Sequence, residues 1–153
     1  MKYGSTLFLK AVICLIGLAV LALCVILLGV SLSGNAGMYL PILLGMCVTA
    51  VPFFFALFQG LLLLNYIDKG TAFSEQSVTA IRNIKLSAGG ISICYALAMP
   101  YIAYIADKDD APGAIVIALV FMFAPLVTAV FAAVLQMLLQ NAIDLKSEND
   151  LTV

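Results

Sequence analysis

Residues 11–32 read AVICLIGLAVLALCVILLGVSL, a run without a single charged side chain between Lys10 and Asn35. It is long enough to cross a bilayer, whose roughly 30 Å hydrocarbon core takes about 20 residues of α-helix. The alternation of apolar and polar side chains that a lipid-facing barrel strand needs is missing. Helix is then the conformation that satisfies every backbone N–H and C=O in hydrocarbon. Three more stretches of the same kind follow, at 39–64, 86–106 and 114–139.

The whole chain agrees with this stretch. Of its 153 residues 65% are hydrophobic and 10% charged, with a mean hydropathy of +1.19, where a soluble domain is roughly 45–50% apolar and about 25% charged. Lys2 and Lys10 ahead of the first run, with Gly34-Asn35-Ala36 behind it, imitate a secretory leader. The run exceeds the about 7–15 apolar residues of a leader core, so a retained anchor is expected.

Lysine and arginine in the short connections set orientation. Lys2, Lys10, Lys69, Arg82, Lys85 and Lys146 fall on one side and only Lys108 on the other, which predicts cytoplasmic termini and a cytoplasmic loop over 65–85. The expected fold is an all-α integral membrane protein, a single domain over 1–153, with four transmembrane helices arranged as two antiparallel hairpins. Within the loop, Gly70 is placed to end the second helix, Ser74 to cap a new one and Glu75 to favour its first turn. Val78, Ile81 and Ile84 then recur at helical spacing, with Arg82 and Lys85 on another face, which predicts a short amphipathic interfacial helix over 75–85. The tail is 140–153. A faint echo, Asn65-Tyr66-Ile67-Asp68 against Asn141-Ala142-Ile143-Asp144, matches the ends of the second and fourth spans, as a duplicated hairpin or chance would.

Chemistry is sparse. Histidine is absent, and Cys14, Cys24, Cys47 and Cys94 lie inside spans without metal-ligand spacing, so they read as packing residues. No catalytic motif is present, and neither enzyme activity nor a cofactor is expected. The span interiors lack the ionisable residues that mark ion pathways. Their polar side chains include Gln59 and Gln136, expected to form interhelical hydrogen bonds. Pro41 suits a helix start, Pro52, Pro100 and Pro125 suit kinks, and Ala88-Ser92-Ala96 and Ala124-Thr128-Ala132 form small-residue stripes for close packing or dimerisation.

The segment Ile67-Asp68-Lys69-Gly70-Thr71-Ala72-Phe73-Ser74, followed by Val78, Ile81-Arg82 and Ile84, and the ending Glu148-Asn149-Asp150-Leu151-Thr152-Val153 resemble the YoaS-like family of small bacterial membrane proteins, a domain of unknown function. Many relatives carry Pro where this chain has Ala72. The resemblance implies a four-span protein of the bacterial cytoplasmic (inner) membrane, often encoded beside a small cytosolic helix-turn-helix regulator, and so a membrane partner for a transcription factor. Docking residues for such a partner are sought among Asp68, Phe73, Ser74, Arg82, Lys85, Asp144, Glu148, Asp150, Leu151 and Val153, with residues 151–153 suited to adding a strand to a partner's sheet. Asp68 and Asp144 are expected at the same membrane depth, within reach of Arg82 and Lys85. Besides the lipid bilayer, the partners considered are this DNA-binding regulator and a second copy of the chain, with no direct binding of nucleic acid. A transporter or channel subunit, or an accessory subunit of a membrane complex, are the alternatives.

The orientation is testable by labelling. With the native cysteines replaced, a cysteine at Ser33 should react with an impermeant thiol reagent added outside cells, and one at Ser74 or Ser147 should not.

Overall fold

A computed structural model describes residues 2–35 and 37–151 of the protein. Ala36, part of the stretch considered for leader cleavage, and Thr152 and Val153 of the tail lie outside the described residues. Helix α1 spans Lys2–Leu32, α2 Leu40–Asp68, α3 Glu75–Lys108 and α4 Gly113–Leu151, and a 3₁₀ turn at Gly37–Tyr39 precedes α2. Among the described residues these four helices are long and apolar enough to cross a membrane.

Helix boundaries follow local chemistry more than hydropathy. Pro41 sits in the first turn of α2, where its missing N–H removes no helical bond. Gly70 closes the same helix at φ +76°. The N–H of Thr71 donates to the carbonyl of Tyr66 at 2.8 Å and that of Gly70 to Ile67 at 3.1 Å, the bonding pattern of a Schellman cap. Ser74, extended at φ −139°, caps α3 by accepting from the N–H of Ser77, and its hydroxyl donates to the carbonyl of Thr71 at 2.7 Å. At the far end of α3 the same cap forms around a residue other than glycine. Asp110 takes φ +52°, and the N–H of Ala111 donates to Ala106 at 2.9 Å.

The predicted interfacial helix over 75–85 does not exist as a separate element; it is the beginning of α3. No proline or cap residue interrupts the chain between Lys85 and Leu86, and the apolar face of Val78 and Ile81 runs on into Ala88 and Ile91. Val78, Ala80 and Ile81 are buried against protein, and Ser77 is fully enclosed. The fourth helix likewise continues past its apolar run as far as Leu151. A strand at residues 151–153 is therefore replaced, for its described part, by helix.

Consecutive helices pack antiparallel and in series, α1 on α2, α2 on α3 and α3 on α4. The α2–α3 seam is at least as extensive as the α1–α2 seam. Helix α3, the least apolar of the four, holds most of the buried side chains, and α1 packs only along one side. Small residues and polar bonds let α3 occupy the centre. Ala88 and Ser92 are buried, and the Ser92 hydroxyl donates to the carbonyl of Met122 on α4 at 2.8 Å. The Thr49 and Tyr95 hydroxyls join α2 to α3 at 3.1 Å. Tyr101 donates to the carbonyl of Met38 at 2.7 Å. On α4 only Ala132 of the expected stripe is buried, because Ala124 and Thr128 face a cavity of about 550 Å³ lined by all four helices.

Gly70 and Gly45 separate the conformational from the helical role of glycine. Gly70→Ala should destabilise the protein by about 1 kcal/mol, since a β-carbon is strained at positive φ. Gly45→Ala, within α2 and with open space around its added β-carbon, should stabilise by up to about 1 kcal/mol. Thermal unfolding in detergent reads both.

Candidate functional site

Most of the charged side chains of the bundle collect at one end, where α1 begins, α2 ends, α3 begins and α4 ends. Lys10 of α1 and Asp68 of α2 form an ion pair with Nζ to Oδ2 at 2.6 Å, both side chains about a fifth to a quarter exposed. The buried Thr6 hydroxyl donates to the other carboxylate oxygen at 2.5 Å. Both oxygens of Asp68 are thus engaged by α1, and neither Arg82 nor Lys85 is its partner. The reason lies in helix geometry. Antiparallel packing of α1 on α2 brings Lys10, one residue before its apolar run, level with Asp68, just beyond the second run, while α3 sends its cations elsewhere.

Lys85 turns toward α4, where its ammonium donates to Oε1 of Gln136 at 2.9 Å. Gln140, one turn further along α4, donates through Nε2 to Glu75 of α3 at 3.1 Å and to Asp144 of its own helix at 3.2 Å. These bonds tie the start of α3 to the end of α4 over three helical turns. Gln59 is only 8% exposed, yet among the described residues its amide has no bond to another helix. Arg82 is exposed.

Phe73, in the turn between α2 and α3, is 57% exposed, and on the last turns of α4 Leu145 and Leu151 are 65% and 83% exposed. Asp144, Lys146, Glu148 and Asp150 are exposed among them. Ser74 is committed to its cap. Val153 lies outside the described residues. The echoed helix ends accordingly differ, since Asp68 is locked between helices and Asp144 faces outward.

Thr6, Lys10, Glu75 and Gln140 are the members of this cluster that were not among the site residues expected from the sequence. The partnership of Lys10 has a sequence signal. Two opposite charges at the matching boundaries of adjacent antiparallel spans are candidates for a pair. Gln140 carries no such signal, because a glutamine at a helix end is ordinary until its neighbour is known.

The comparisons bear on the whole chain. Residues 29–153 match the family described as Protein of unknown function (DUF2975). The chain is 53% identical over 160 residues to the uncharacterized membrane protein YoaS of Bacillus subtilis (strain 168), covering 100% of both. It belongs to this family. The resemblance drawn from residues 67–74 and the C-terminal ending is thereby established, and the protein is a membrane protein whose family has no assigned activity. No solved structure matches it.

The pairing of Asp68 is open to a double-mutant cycle in unfolding experiments. Asp68→Asn and Lys10→Met should show a favourable coupling, while Asp68→Asn and Arg82→Met should be additive.

Proposed function

We propose that this is a non-enzymatic regulatory docking protein of the bacterial cytoplasmic membrane, holding a cytosolic protein at the end of the bundle where its termini lie. The helix-turn-helix regulator implied by the family resemblance is the partner we assign. In this reading α1–α2 and α3–α4 are two hairpins, and the excess of Lys and Arg at the termini and central loop supports a cytoplasmic position for them.

One observation carries the proposal. Helices α3 and α4 both continue as helix beyond their apolar runs, joined at that boundary by Lys85–Gln136 and just outside it by Glu75–Gln140. Residues 140–151 alone extend α4 by about 18 Å at 1.5 Å per residue. A helix of that length, held at its base by the bond to Glu75, projects past the hydrocarbon and presents Asp144, Glu148 and Asp150 of α4 together with Leu145 and Leu151. Apolar anchors within a polar surround are the usual chemistry of a recognition surface. Helix, in place of an added strand, is then the docking element, together with Phe73 and Arg82 beside it. A transporter or channel subunit draws less support, because no charged side chain lines the cavity.

Photoreactive amino acids in place of Leu145 and Glu148 should crosslink the neighbouring regulator in intact cells, and one in place of Met38 should not. Deleting residues 148–153 should leave membrane insertion unchanged while lowering both crosslinking and the regulator's output. Unchanged crosslinking and output would remove the tail from the docking surface, and crosslinking from Met38 alone would overturn the orientation.

A further inference from the structure

The cavity of about 550 Å³ between the helices falls within the roughly 300–1,000 Å³ of small-molecule sites. Its walls are Val20 to Leu27 of α1, Met46 to Leu57 of α2, Ile84 to Tyr95 of α3 and Val120 to Thr128 of α4. Three of the four seams around it are packed. Helices α1 and α4 form no comparable interface, so the fourth seam is the opening. Along α2 the walls extend about 17 Å at 1.5 Å per residue, close to the roughly 15 Å of one leaflet, half of the 30 Å hydrocarbon core.

The lining decides the chemistry of what fits. It carries no charge, and its hydroxyls are those of Thr49, Tyr95 and Thr128. Thr49 donates to the carbonyl of Met46 at 2.9 Å, which leaves Tyr95 as the donor in the Thr49–Tyr95 bond at 3.1 Å. Thr128 donates to the carbonyl of Ala124 at 3.0 Å. Every hydroxyl proton is therefore spent on an internal acceptor. A headgroup, ion or sugar would lose its hydration and gain no donor, at the cost of burying unpaired polar atoms. A water column would fare no better, since a buried water makes about three hydrogen bonds. A hydrocarbon chain loses nothing on entering. A helix, 10–12 Å across, is too thick for a slot of this volume and length.

We infer that the cavity is a lateral binding site for one acyl chain of a bilayer phospholipid, admitted through the seam between α1 and α4. The site is independent of the docking reading, since it lies within the spans and shares no residue with the polar end.

The test uses full-length protein in phosphatidylcholine vesicles containing a phosphatidylcholine with a diazirine near the end of one chain. Photolysis should label Leu23 and Cys24, inside the seam, as well as the outward-facing Phe131. Ala124→Phe, which fills the slot, should cut labelling of Leu23 and Cys24 by about tenfold, equal to about 1.4 kcal/mol, and leave Phe131 unchanged. Ala56→Leu fills the same space from α2 and serves if the first variant fails to fold. In detergent, added phosphatidylcholine should raise the Tm of the unmodified protein more than that of either filled variant, as a ligand of the folded state does. Equal labelling of Cys24 in filled and unfilled protein would overturn the site and leave only annular lipid. Disulfide capture of Cys24 by Cys24 of a second copy, with no lipid label, would overturn it equally and place another protomer over the seam.

Discussion

Every arrangement in this protein depends on one constraint, that a side chain placed in hydrocarbon gains nothing by touching another apolar side chain in place of a lipid tail. Burial of leucine, which organises a soluble core, gives no direction here. Close backbone approach and hydrogen bonds supply it instead. Helix α3 shows the outcome, for it is the least apolar span and the most enclosed. Its serines, alanines and tyrosines admit neighbours on two sides, and each polar group used there ends on an internal partner, Thr49 for Tyr95, the Met122 carbonyl for Ser92 and Gln136 for Lys85. Among the described residues no buried side-chain nitrogen or oxygen is left without a bond.

The parts of this fold that were legible in the sequence are those set by local chemistry. Charge-free runs locate the spans because a charge in the bilayer costs so much that its absence is conspicuous. Gly70 and Ser74 declare a helix end and a helix start because the left-handed cap and the hydroxyl cap are properties of a few consecutive residues. What stayed hidden depends on a second helix. Residues 75–85 look interfacial when only their own charges are read. They become the start of α3 because they are packed against protein, with Val78 and Ile81 buried and Glu75 and Lys85 bonded to Gln140 and Gln136 of α4. Asp68 likewise shares its end of the bundle with Lys10, Arg82 and Lys85, and only the register of α1 on α2 selects Lys10.

The same dependence explains why the candidate site was half legible. Its exposed members, Phe73, Arg82, Asp144 and Glu148, are visible as polar or aromatic residues outside the spans. Its organisation is not, because Glu75 and Gln140 are 65 positions apart and meet only after α3 and α4 have packed. The cavity left no sequence signal at all. Ala124 and Thr128 have the spacing of a packing stripe, and whether such a stripe is filled by a helix or left facing a space depends on where α1 stops being held.

Helix α1 is where this question concentrates. Among the described residues its extensive interface is with α2, and apolar contact there is something lipid would serve as well. Two features fix its position against sliding or rotation. Gly17 and Gly60 face across the seam, with side-chain methyls of Leu57 and Ile13 packed 3.6 and 3.5 Å from where their β-carbons would be. At the polar end, Thr6 and Lys10 both grip the one carboxylate of Asp68. A bidentate charged anchor fixes both depth and rotation, which apolar contact in lipid does not. With α1 fixed at that end and along one side, its opposite side is free of α4. The open seam is thus the geometric remainder of how α1 is attached, since a helix specified by one glycine-lined seam and one ion pair has nothing left with which to close a second interface.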